Sequence, residues 1–172
     1  DAIWTPDLVP QAASQSSPHV WMDPFPLIAA VAQHTDRVRL GVGVTDLARS
    51  HPAQIARAAL TLDHLTSGRF ILGLGSGESL NLSPYGIPSE SPVGRLEEGV
   101  AIIRRFFEEP GPIDVAGEHF TLTGASVGLR PAGERPPSIW IAAHRPRGLR
   151  LTGRDADGWL PFARSPEHYT EM

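Results

Sequence analysis

The apolar residues of this chain fall into short compact runs that alternate with longer stretches repeating at close to 3.6 residues. Residues 1–5, with Ala2, Ile3 and Trp4, read as a strand. A Ser/Gln/Pro-rich loop follows from Pro10 to Pro18, longer than an ordinary connection and therefore expected to be functional or mobile. Asp23-Pro24 offers an N-cap and an early helical proline, and Leu27, Ile28, Val31 and Ala32 form an apolar stripe behind it. Val38 to Val44 is a β-branched, glycine-spaced strand. Ser50-His51-Pro52 opens a helix with Ile55, Ala59, Leu62 and Leu65 on one face, and Gly68 stops it. A strand over 69–75 follows at once. Beyond a Pro-rich stretch from Pro84 to Pro92, a helix from Gly94 to Glu108 turns Leu96, Val100, Ile103 and Phe107 inward. Pro110 to Pro137 breaks the rhythm and reads as an insertion, with a short hairpin pairing 113–115 with 119–122. Ser138 to Ala142 is again a strand, Pro146 to Gly153 a short helix and Gly158 to Pro161 a last strand.

Strands separated by helices imply parallel pairing with right-handed crossovers, hence an α/β protein. Doubly wound sheets and (β/α)₈ TIM barrels share that rhythm, but a barrel needs roughly 250 residues and eight strands. About five strands in 172 residues fit a barrel lacking pieces at both ends. The chain opens at Asp1 inside a strand and closes at Met172 in what reads as the first turn of a helix. We therefore expect an internal segment of a longer protein: one partial barrel domain over 1–172, with an insertion over 110–137.

In either architecture the active site lies beyond the C-terminal ends of the strands, so the residues there carry the functional reading. The first strand is followed by Asp7, the second by Gly43-Val44-Thr45-Asp46 and the third by Gly75-Ser76-Gly77-Glu78 with Asn81. The fourth leads into Ala143-His144-Arg145 and the fifth into Pro161-Phe162. Acids at a rim with bare glycine backbone beside them suit proton-transfer chemistry on a flat ligand. RFILGLGSGESLN, from Arg69 to Asn81, concentrates this signal. Its glycines do not match the dinucleotide fingerprint, because the third comes one residue early. An S-adenosylmethionine-dependent methyl transferase remains a rival, weakened by Gly73 where that motif carries an acid. Each acid also has a plain structural role open to it: Asp7 capping a turn, Asp46 capping or pairing with Arg49, Glu78 starting a helix. His51 reads as a cap, while His34, His64 and His168 fall on solvent faces.

Composition narrows the chemistry further. A net charge of −4 and no basic cluster speak against nucleic acid and anionic membranes as partners. No run of about eighteen apolar residues occurs, and a soluble, cytoplasmic protein is expected. Cysteine is absent, which excludes disulfides and thiolate catalysis. Lysine is absent as well, so Schiff-base chemistry and a phosphate-loop lysine are excluded. No His/Asp cluster has metal-ligand spacing, and no metal is expected.

The ordered set DAIWTPD, VRLGVGVTD with HPAQIARAALTLDHLTSGRF, ILGLGSGESLN, and PSIWIAAHRP with LTGRDADGWLP resembles the luciferase-like oxidoreductases. Within them GSGESLN is most similar to the branch using the deazaflavin coenzyme F420, which includes methylenetetrahydromethanopterin reductases, phthiodiolone ketoreductases and sugar-phosphate dehydrogenases. The resemblance implies a (β/α)₈ barrel with an insertion, paired as a homodimer, of which this segment supplies the second to sixth strands. It implies a non-proline cis peptide at Gly43-Val44, where the flavin stacks. It matches Glu78 to the acid beside the coenzyme's pyrimidine edge, Asn81 to a polar contact one turn on, and Asp7 to the acid after the second strand. Ala143 and His144 match positions near the coenzyme, and Thr45, Asp46, Ser76 and Gly77 complete the expected binding set. Relatives commonly follow that first acid with His, whereas Leu8 stands here, which disfavours sugar-phosphate substrates. The function implied is hydride transfer between F420 and an organic carbonyl, alcohol or activated alkene on a small-molecule substrate. Glu78 is expected in a water-poor site, moving a proton, with Asp7 or Asp46 as second acid. Two rivals are an FMN-dependent luciferase-like monooxygenase and a truncated, non-catalytic barrel fragment.

Overall fold

A computed structural model describes residues 1–8 and 21–162; the long loop over 10–18 and His168 lie outside the described residues. Five strands form one all-parallel sheet: β1 (Ala2–Thr5), β2 (Arg39–Asp46), β3 (Phe70–Gly75), β6 (Ser138–Ile141) and β7 (Gly158–Trp159), in the order β1-β2-β3-β6-β7. The crossovers carry α1 (Pro24–Ala32), α2 (Pro52–Leu65), α3 (Ser79–Leu82) with α4 (Pro92–Glu108), and α5 (Pro146–Asp155). Between α4 and β6, β4 (Ile113–Ala116) and β5 (Thr121–Ala125) pair as a separate antiparallel hairpin. The fold is thus the α/β, barrel-type arrangement of parallel strands and crossover helices that the apolar rhythm anticipates.

Local chemistry explains the boundaries. Asp23 accepts a hydrogen bond from the Phe25 amide at 2.9 Å and starts α1, with Pro24 at a position needing no amide. His51 caps α2 through Nδ1, which accepts from the Ala53 amide at 3.2 Å, so it serves as a cap as its sequence position suggests. Gly68 lies at φ +79° just past α2, and its amide bonds back to the Asp63 carbonyl at 2.9 Å. One expectation fails on α2: Leu65 is exposed. The buried stripe runs through Ile55, Ala56, Ala59 and Leu60 to Asp63 and Thr66, which leaves position 65 on the outer side. Asp63 is tolerated there because its Oδ2 accepts from the Ala132 amide at 2.8 Å.

Strand alternation then divides the sheet. Leu40, Val42, Phe70, Leu72, Leu74, Ile139 and Ile141 turn outward and join the helix-covered core with Val100, Ile103 and Phe107 of α4. The opposite, inner face carries glycines. Trp4 lies over Gly41, where an added Cβ would come 2.5 Å from its ring, and its centroid approaches that of Trp140 to 5.3 Å. The two indoles meet across the inner face, and the bare backbone of Gly41 leaves room for Trp4 to do so.

Candidate active site

Past the C-terminal ends of the inner face opens a cleft of about 460 Å³. Its floor is shaped by β2 and β3. The Gly43–Val44 peptide is cis, and the β2–β3 register shifts between Val42 and Thr45. Val44 lies across β3: a Cβ on Gly75 would come 2.7 Å from Val44 Cγ2, and one on Gly73 would strike the Val42 carbonyl oxygen. The alternating glycines of LGLG therefore make room for the bulge of the neighbouring strand. Gly77 adopts φ +79°, a conformation that favours glycine, and turns the chain from the floor into α3.

Nine of the eleven residues expected to act on or bind the coenzyme line this cleft: Asp7, Gly43, Val44, Asp46, Ser76, Gly77, Glu78, Asn81 and His144. Two others do not. Thr45 is buried and pairs with Leu74 in the ladder, and Ala143 is buried against Gly148 while its carbonyl accepts from Trp159 Nε1 at 2.9 Å. Both misses have one cause, the period of two along an extended chain. Positions 44 and 46, and 142 and 144, face the cleft, and the residue between each pair turns away.

Glu78 also departs from expectation. It is exposed, at the N-terminus of the one-turn α3, and accepts from Asn81 Nδ2 at 3.3 Å. Among the described residues nothing covers it, so the water-poor setting expected for this acid is absent. His144 is likewise exposed at the rim.

The two aspartates are tied together by Arg49, in the turn between β2 and α2. Asp46 is buried; its Oδ1 accepts from the amides of Ala48 and Arg49 at 3.0 and 2.9 Å, and its Oδ2 from Arg49 Nε at 2.6 Å. Arg49 Nη1 donates to Asp7 Oδ1 at 3.0 Å, while Nη2 reaches the Asp7 carbonyl and Oδ2, each at 3.0 Å. Burial works against the arginine's charge, but the hydrogen bonds to Asp7 and Asp46 outweigh it and raise its pKa above the usual value. The local spacing from Asp46 to Arg49 is legible in the sequence; the third member, 42 residues from Arg49, is not. Leu160 and Ala142 also line the cleft without having been foreseen. Among the described residues no cluster of His, Asp or Glu could hold a metal ion, and no helix is long and apolar enough to cross a membrane.

Compared with known proteins, the chain matches the family described as luciferase-like monooxygenase over residues 1–172. It is 40% identical over 189 aligned residues to a phthiodiolone/phenolphthiodiolone dimycocerosates ketoreductase of Mycobacterium sp. (strain JLS), covering 99% of this chain and 50% of the relative. It is 36% identical over 155 residues to a protein provisionally named a coenzyme F420-dependent oxidoreductase in Mycobacterium tuberculosis, covering 84% of this chain and 45% of the relative. Among solved structures, an F420-dependent secondary alcohol dehydrogenase in complex with an F420-acetone adduct superposes with a TM-score of 0.86 at 23% identity, covering 97% of this chain and 51% of that one. The chain spans about half the length of the curated relatives it matches.

Proposed function

The chain belongs to the luciferase-like monooxygenase family, and from that premise we propose that it contributes the coenzyme cleft of an oxidoreductase using coenzyme F420. The substrate class is an organic carbonyl, alcohol or activated alkene. The observation that carries this reading is the convergence of Asp7, the 43–46 segment, the 76–81 segment and His144 on one cavity.

The residues present fit a flat ring system. A volume of about 460 Å³ falls within the range of about 300–1,000 Å³ usual for small-molecule sites. Bare backbone at Gly43 and Gly75, with Val44 between them, offers a low apolar floor on which a planar ligand can lie. When bound, coenzyme F420 supplies a deazaflavin that carries a hydride. The chain's own contribution is to seat and orient. Ser76, Asn81 and His144 present polar groups at the edges, and Gly77 lets the backbone come close. Glu78 is the acid positioned to take up or release a proton at its carboxylate oxygens, since those of Asp7 and Asp46 are engaged by Arg49. A homodimer, located in the cytoplasm, belongs to the same reading and rests on the family resemblance.

The test is a titration of the intact parent protein with F420 and, separately, with FMN, followed by fluorescence; the 172-residue chain by itself is expected to bind either weakly or not at all. Binding of F420 in preference to FMN is expected. The family's own description as monooxygenases favours the second reading, FMN-dependent oxygenation, and binding of FMN without F420 would put that reading in place of ours. Binding of neither would leave a non-catalytic fragment.

A further inference from the structure

We propose that Arg49 is the positioning residue of this cleft: anchored on Asp46, it clamps the segment after β1 in place through both the carboxylate and the carbonyl of Asp7, and so sets the wall against which the ligand is seated. The inference rests on the coenzyme reading for its ligand but stands on geometry of its own.

Three features carry it. The anchor is fixed before the clamp acts. Asp46 ends β2 in register with Gly75 of β3, and its carboxylate is held by two backbone amides at 3.0 and 2.9 Å as well as by Arg49 Nε. A buried carboxylate accepting from the backbone is a rigid part of the fold rather than a mobile acid. Next, the clamp is forked. The two terminal nitrogens of Arg49 contact both oxygens of the Asp7 carboxylate and its main-chain oxygen, so side chain and backbone of Asp7 are fixed together. A planar guanidinium meets this geometry and a lysine ammonium does not. Finally, the clamped segment belongs to the cleft wall: Trp4, Pro6, Asp7 and Leu8 all line it, together with the 75–78 segment.

The arrangement also changes what Asp7 can do. With both oxygens facing a guanidinium, it acts through Arg49 as a holder of the wall. A proton-transfer role then falls to Glu78.

Arg49→Met, Arg49→Lys and Asp7→Asn, prepared in the same protein, test this, with circular dichroism and a thermal midpoint to confirm folding. In the ligand-free state, amide hydrogen exchange at Thr5, Asp7 and Leu8 should speed up in Arg49→Met by roughly tenfold or more, while exchange in β3 stays as it was. This measurement needs no coenzyme, so it separates failure of the clamp from failure of the functional reading. With coenzyme, Arg49→Met should weaken binding by roughly 10- to 100-fold, since a wall displaced by an ångström costs that order. Arg49→Lys should recover little of the loss, and Asp7→Asn, which keeps the carbonyl contact, should fall between. In turnover, the loss in Arg49→Met should fall on KM for the coenzyme more than on kcat, a split that lost stability alone does not produce. Unchanged exchange at 5–8 in a folded Arg49→Met protein would overturn the clamp. Should that variant not fold, full coenzyme affinity and wild-type exchange in Arg49→Lys would overturn it equally.

Discussion

The two faces of β3 obey opposite rules. Outward, Phe70, Leu72 and Leu74 are each at most 1% exposed and sit in the helix-covered core. Inward, Gly73 and Gly75 carry no side chain, because the space they leave is taken by Val44 and the Val42 carbonyl of the neighbouring strand. One face is filled to bury apolar area, and the other, past the buried Ile71, is emptied so that backbone can lie bare beside a cleft. A site of this kind is made by leaving side chains out, on the same strand that gives Phe70, Leu72 and Leu74 to the core.

Substitutions at adjacent positions sharpen this contrast. Leu72→Ala opens a hole in the core and should cost about 4 kcal/mol of stability in urea denaturation, with coenzyme affinity per folded molecule unchanged. Gly73→Ala sets a methyl against the Val42 carbonyl and should cost about 3 kcal/mol, with the difference that coenzyme binding falls too, since Val42 leads directly into the Gly43–Val44 segment. Equal effects on binding from the two would break the comparison. At the rim the balance reverses. Glu78 is exposed and makes no side-chain cap, so Glu78→Gln should leave the urea midpoint in place. It should nonetheless slow hydride transfer, followed by stopped flow, roughly 100-fold, or about 2.7 kcal/mol in the barrier. Unchanged transfer would remove the proton role assigned to it.

The smallest effect is expected at Asp63, in the buried stripe of α2. Burial raises its pKa, against the opposing hydrogen bond from Ala132 and the nearby His64. A folded value above the unfolded one means that its contribution to stability is fully present below the unfolded carboxylate value and is lost as pH rises through the folded value. Asp63→Asn keeps an acceptor for the Ala132 amide and cannot titrate. It should therefore flatten the pH dependence of the urea midpoint just above the ordinary carboxylate range relative to the parent; an unaltered slope would show that other carboxylates govern it.

Much of the fold was legible because it depends on local periodicity. The α4 stripe of Leu96, Val100, Ile103 and Phe107 is buried as its spacing implies, and Asp23 and His51 cap the helices they precede. The lining of the candidate cleft was legible where position relative to a strand end suffices, as for Gly43, Val44, Ser76, Gly77 and Asn81. It was illegible wherever a single residue's facing decides: Thr45 and Ala143 turn inward to the protein, and Leu65 turns out to solvent. A one-residue difference reverses the side of an extended chain and rotates a helical one by a hundred degrees or so.

What the sequence by itself determined is the succession of strands and helices and their caps, since each follows from contacts between residues near in the chain. Tertiary structure alone decided that Val44 would lie over Gly75 and that Arg49 would join Asp46 to Asp7 across 42 residues. The physical reason is that these contacts form between neighbouring strands, and a residue's partner there is set by sheet order and register, quantities that no local spacing encodes.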